Sequence, residues 1–153
     1  MTSELTRAVA EIGLSDYDPR RLCAAVPDLA DILTVVTEEF CTHLSKQNEA
    51  PIGASVDFRL IAAPMRDHWL RLALHGIDAD YELRVMRIGL AHRTRAIHPR
   101  TYVLGYGWFS ARLVEETMRR STLDRKPLAE LVATLLRLIF LDLTRVVHAY
   151  DVA

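Results

Sequence analysis

One histidine of this sequence is placed where it could bind a metal. His92 shares a helical stripe with Tyr81, Val85 and Ile88, because these residues follow one another at steps of four, three and four. The arginines of the same segment fall off that stripe. A neutral imidazole that points among apolar side chains is suited to be the axial ligand of a haem iron. The position also fits a core histidine with one satisfied hydrogen bond, and periodicity by itself leaves both interpretations open.

Gly89 lies one turn before His92 on the same predicted helix. A glycine in mid-helix costs about 1 kcal/mol relative to alanine. We therefore expect either a flat group or a second backbone to approach the helix closely at this point.

The elements that must position these residues are helices, since apolar residues recur at three- and four-residue steps and period-two alternation never persists. Ser55 is expected to cap the fourth helix, and Pro64 to kink it. The pattern predicts a single all-α domain over 1–153, and by itself it fits a plain four-helix bundle almost as well. The predicted helices cover roughly 3–12, a short segment from 19, then 28–46, 55–75, 79–97, 99–120 and 125–150.

Composition excludes several classes of function. The chain has 153 residues, 19 basic and 20 acidic, so a net charge of −1 argues against a nucleic-acid or acidic-membrane partner. Cys23 and Cys41 form no metal-binding spacing and, with no secretory signal, favour a cytoplasmic location. The most apolar stretch, 131–147, is interrupted by Arg137, Asp142 and Arg145 and predicts a buried helix. No phosphate loop, nucleophile motif, HExxH or CxxC occurs, so we expect no catalytic residue and no enzyme.

The segment around His92 resembles the globin-coupled sensors, the haem globin domains of bacterial aerotaxis transducers, diguanylate cyclases and histidine kinases. The similarity runs from about residue 28 to residue 151. It is carried by Arg87-Ile88-Gly89-x-x-His92 followed by Pro99, Arg100, Tyr102, Gly105 and Tyr106, and by His68-Trp69-Leu70-x-Leu72, Gly76, Asp78, Tyr81, Phe40-x-x-His43-Leu44, Leu141-Asp142 and Ala149-Tyr150.

The resemblance implies a globin fold with an extra N-terminal helix and no separate fourth helix. It also implies a haem b between the helices predicted at 55–76 and 79–97, with His92 as the proximal iron ligand. The residues expected to contact the haem are His92, Cys41, Phe40, Ile61, Met65, Tyr81, Ile88, Gly89 and Tyr106. Phe40 and Tyr81 also fit a role in the core, and His68 fits either core packing or a haem propionate contact.

On the distal side the sequence departs from the family. Many of these sensors carry a tyrosine after the phenylalanine of the second long helix, and that position is Cys41 here. A thiol is a weaker hydrogen-bond donor than a phenol, and neither Ile61 nor Met65 replaces the missing donor. We therefore expect an apolar pocket that favours CO and NO over tight O2 retention. In an alternative, Met65 or a Cys41 thiolate binds the iron as a sixth ligand.

The function that the resemblance implies is a haem-based sensor of a diatomic gas (O2, CO or NO) or of redox state. Its signal would pass through the last two helices, which form the homodimer interface in this family, to an output domain or a separate partner protein. Two alternatives stay open. One is a non-haem globin that acts as an interaction module of a signalling scaffold, and the other is a haem enzyme such as an NO dioxygenase or peroxidase.

Overall fold

The computed structural model describes residues 2–47 and 60–151, and within these ranges it contains only helices as regular structure. The all-α prediction is confirmed. The helices are α1 (Ser3–Glu11), α2 (Pro19–Ala25), α3 (Leu29–Gln47), α4 (Ala62–His75), α5 (Ala79–Thr94), α6 (Pro99–Arg120) and α7 (Arg125–Asp151).

Polar side chains start four of these helices. Thr2, Asp18 and Asp78 accept hydrogen bonds from free backbone N–H groups in the first turns of α1, α2 and α5. His98 does the same for α6, because its Nδ1 accepts from the N–H of Arg100 at 3.1 Å. His98 is exposed, and its role is to cap the helix that Pro99 begins.

The structure corrects the prediction for α4. The helix begins at Ala62, with Ile61 as its N-cap, so Pro64 is the third residue of the first turn. A proline there removes no intrahelical hydrogen bond, since first-turn N–H groups have no partner within the helix. The predicted kink at Pro64 is therefore wrong. The predicted cap, Ser55, lies outside the described residues.

Two residues with positive φ end helices. Gly76, at φ 77°, follows α4 where the sequence predicts a helix end. Ala96, at φ 54°, turns the chain after α5, which ends at Thr94 rather than near residue 97. His98, the residue before Pro99, has an extended backbone, as this position favours.

The core lies where α3 packs against α4 and α6, and α7 packs against α5 and α6. The stretch at 131–147 belongs to α7, which is buried along one face as predicted. Among residues 2–47 and 60–151, no helix has the length and apolarity needed to cross a membrane. The largest fully buried side chains are those of Leu5, Ile32, Leu33, Val36, Leu72, Tyr81, Val85, Phe109, Leu113, Leu138, Ile139 and Val146.

Candidate haem-binding site

His92 lies in the last turn of α5 with its imidazole largely buried. Its Nδ1 is 2.8 Å from the carbonyl oxygen of Ile88. A carbonyl only accepts, so Nδ1 carries the proton and the lone pair is on Nε2. Burial lowers the pKa of His92, although the hydrogen bond to Ile88 opposes this effect. The side chain is thus a neutral imidazole with Nε2 available, which is the form in which histidine binds a haem iron.

Tyr102 of α6 is the aromatic neighbour of His92. The two rings meet edge to face, with their centroids 4.7 Å apart. Tyr102 in turn packs against Tyr106 at 5.0 Å and against Tyr150 of α7 at 6.3 Å. Burial, followed by the nearby Asp142 carboxylate, raises the pKa of Tyr102 well above 10, so it is a neutral phenol at physiological pH.

Asp142 of α7 is fully buried and holds donors from two other helices. Its Oδ1 lies 2.8 Å from Nε2 of His68 in α4, and its Oδ2 accepts the hydroxyl hydrogen of Tyr106 in α6. Burial and the Asp142 carboxylate raise the pKa values of both Tyr81 and Tyr106. We call His68, Tyr81, Tyr106 and Asp142 the Asp142 cluster. Two expected haem contacts, Tyr81 and Tyr106, therefore belong to this cluster, and His68 is engaged by a carboxylate.

Gly89 contacts a second backbone. A Cβ added to it would lie 2.4 Å from the Cβ of Ala149 and 2.7 Å from the carbonyl oxygen of Val146. The glycine thus permits α5 and α7 to pack closely one turn before His92. Of the two expectations for Gly89, the second backbone is what the structure contains. The close approach of α7 accounts for the missing side chain, and a haem contact at Gly89 stays a prediction.

The candidate distal residues come from α3 and from the start of α4. Phe40 and Cys41 are buried on α3, and Phe40 lies against Trp108 and Phe109 of α6. Burial raises the pKa of the Cys41 thiol, so the group is a thiol rather than a thiolate at neutral pH. Ile61 and Met65 are half-buried at the start of α4. Ile88 of α5 is half-buried and supplies the carbonyl that orients His92.

Two residues that matter here were not predicted as part of the site. Tyr102 contacts His92 directly, and Asp142 organises the cluster behind it. Both had a sequence signal. Tyr102 and Tyr106 are four residues apart on one helical face, and Asp142 is an acidic residue inside the most apolar helix, where a charge must have partners.

The described parts of the chain are helical, and the half-buried His92 near the end of α5 has no hydrogen-bond partner for Nε2 among them. These features fit a haem-binding globin. The protoglobin family model matches residues 1–152, and the chain belongs to this family. The family implies haem and a gas ligand. The family match confirms the expected globin domain of the sensor type. No curated protein and no solved structure matches the chain.

Proposed function

We propose that this chain is a haem-based sensor that binds a diatomic gas, or responds to redox state, at a haem b iron held by His92. The observation that carries the proposal is the Nδ1–H···O=C bond from His92 to Ile88. It restrains the ring and leaves Nε2 as the only ring nitrogen with a lone pair. His92 would hold the haem, and the haem would supply an iron able to bind a diatomic gas.

The distal side of this proposal rests on Cys41. A protonated, buried thiol is a weak hydrogen-bond donor, and neither Ile61 nor Met65 carries an N–H or O–H group in its side chain. We infer that a bound gas receives little polar stabilisation, so that CO and NO are favoured over long-lived O2. Burial by itself disfavours a thiolate at Cys41, whereas a bound ferric iron would stabilise it, so Met65 and Cys41 both remain candidates for a further iron ligand.

For the partner we infer a second copy of this chain that docks on α6 and α7. A groove between these two helices is lined mainly by apolar and small residues, among them Val103, Gly107, Ala111, Leu136 and Phe140. Phe140 is 57% exposed, although it belongs to a helix that is otherwise central to the core. A Cβ on Gly107 would meet nothing within 4 Å, so no residue in the described part of the chain fills the space beside this glycine. We infer from the resemblance that a second copy of the chain fills this groove, because the last two helices form the dimer in globin-coupled sensors.

A matched pair of variants tests this interface. Phe140→Asp places a charge in the groove, whereas Leu83→Asp places one on α5 at a site with almost the same exposure, 56%. We expect Phe140→Asp to be monomeric and Leu83→Asp to keep the wild-type sedimentation coefficient. Equal effects of the two substitutions would remove the groove from the proposal.

The haem proposal is tested by an absorption spectrum. Protein supplied with haem should show a sharp Soret band, and His92→Ala should lose iron ligation or most of the haem. His75→Ala is the control, because His75 is an exposed histidine at the end of α4. A protein that does not bind haem would instead support the alternative of a non-haem interaction module. Rapid turnover of NO in the presence of O2 would support the NO dioxygenase alternative, and turnover of peroxide the peroxidase.

A further inference from the structure

Two contacts hold the imidazole of His92 in place. One is the hydrogen bond from Nδ1 to Ile88, which belongs to the same helix. The other is the edge-to-face contact with Tyr102, which comes from α6. A single hydrogen bond restrains the ring but still permits its side-chain torsions to adjust. The orientation of His92 therefore depends on where the Tyr102 ring is held.

Tyr102 is held by the Asp142 cluster. Its ring lies 5.0 Å from the ring of Tyr106, and the Tyr106 hydroxyl donates to Oδ2 of Asp142. The other oxygen of Asp142 is bound to His68. Asp142 has no exposed surface, so these donors replace the water that a carboxylate needs. Loss of either hydrogen bond would leave a buried carboxylate oxygen without a partner, which is costly. The carboxylate thus holds Tyr106 firmly.

We propose that Asp142 is a positioning residue for the iron ligand: through Tyr106 and Tyr102 it sets the orientation of His92, and through His68 it joins α4 to the same support. This inference rests on the proposed function in one respect, namely that His92 binds iron. Asp142 itself touches neither His92 nor a ligand in this scheme, and its effect passes through two aromatic rings.

The same arrangement connects the iron site to the surface. Tyr106 is part of the wall of the groove between α6 and α7 as well as the donor to Asp142. A displacement of His92 would press on Tyr102 and then on Tyr106, and so would reach the groove in which we place the second copy.

The test uses three single variants of the full chain, together with the double variant Asp142→Asn/Tyr106→Phe. Asp142→Asn removes the charge and keeps the shape, and Tyr106→Phe removes only the hydroxyl and so is the gentler change. Glu116→Gln is the matched control, because Glu116 is also a buried carboxylate but binds Arg119 and Arg120 at the other end of α6. Two measurements are made. The iron–histidine stretching band of the ferrous holoprotein is recorded by resonance Raman, and the imidazole 15N and 1H shifts of His92 are recorded by NMR on the apoprotein.

We expect Asp142→Asn and Tyr106→Phe to shift and broaden the iron–histidine band, and to move the His92 NMR signals, while Glu116→Gln leaves both in place. The double variant should show no larger shift than Tyr106→Phe alone, since the effect passes through that hydroxyl. Unchanged signals in Tyr106→Phe, or equal changes in Glu116→Gln, would overturn the inference.

The two readouts separate this inference from the proposed function. If wild-type protein shows no iron–histidine band, the haem proposal fails, and the NMR signals of apoprotein His92 still decide whether Asp142 positions the ring. If the band is present but insensitive to Asp142 and Tyr106, the haem proposal stands and this inference fails.

Discussion

The close contact of Gly89 with α7 makes a quantitative prediction about Gly89→Ala. A methyl group at this position would meet the Cβ of Ala149 at 2.4 Å and the carbonyl oxygen of Val146 at 2.7 Å. Real Cβ atoms essentially never come this close to either atom, and a backbone carbonyl cannot rotate away. Overpacking of this kind costs about 1–3 kcal/mol, and the backbone contact argues for the upper half of that range.

Gly107→Ala supplies the matched control. Both glycines are in the middle of long helices, so both substitutions gain the same helix propensity, about 1 kcal/mol. Only Gly89 meets a neighbour, because a Cβ on Gly107 would have none within 4 Å. The difference in unfolding free energy between the two variants therefore isolates the clash. We expect Gly107→Ala to be more stable than wild type and Gly89→Ala less stable, with a gap of about 2–3 kcal/mol.

Urea unfolding of the holoprotein measures this gap as a difference in midpoint at constant slope. The protein is kept dilute, so that association through α6 and α7 does not contribute to the stability of Gly107→Ala. For a chain of this length the gap corresponds to a difference in Tm of roughly 4–12 °C. Equal stability of the two variants would show that α5 and α7 do not approach as closely as the structure has them.

Three further predictions concern other parts of the molecule. Cys41→Tyr should slow O2 dissociation about fivefold relative to Cys41→Phe, since one hydrogen bond is worth about 1 kcal/mol, and stopped-flow kinetics giving equal rates would remove Cys41 from the distal pocket. Hydrogen bonds from two arginines lower the pKa of Glu116 to about 2 from 4.5, so its stabilising effect is complete above pH 4.5 and is lost as the pH falls towards 2; Glu116→Gln should flatten that part of the stability curve in urea titrations. Arg145→Met should loosen α1, because the buried Arg145 guanidinium binds Glu4. Relative to wild type, amide exchange should become faster in α1 and change less in α2.

Helix positions were largely predictable because their signals are local. Caps such as Asp78 and breaks such as Gly76 act within four residues along the chain. The start of α4 was misplaced for the same reason, since Pro64 fits either a kinked helix or a first turn, and the local pattern does not distinguish them.

The candidate site was predictable in part. The stripe from Tyr81 to His92 made His92 a candidate iron ligand, because its residues lie on one helix. The pairing of the residues behind His92 was not predictable, since Asp142 is 36 residues from Tyr106 and 74 from His68. Gly89 illustrates the same limit: the sequence shows that a side chain is absent, whereas the neighbour that requires its absence lies on another helix.

The contacts behind His92 converge on one helix. On α7, Asp142 binds the cluster, Val146 and Ala149 contact Gly89, and Tyr150 packs against the ring of Tyr102. These positions follow one another at steps of four, three and one, so they share one face of α7. A movement of His92 would therefore reach α7 through any of these contacts. Because α7 also forms one wall of the external groove, it is the element through which we expect the state of the iron site to reach a partner. Packing thus favours α7 as the helix that transmits such a movement, whereas the partner in the groove is inferred from the family resemblance.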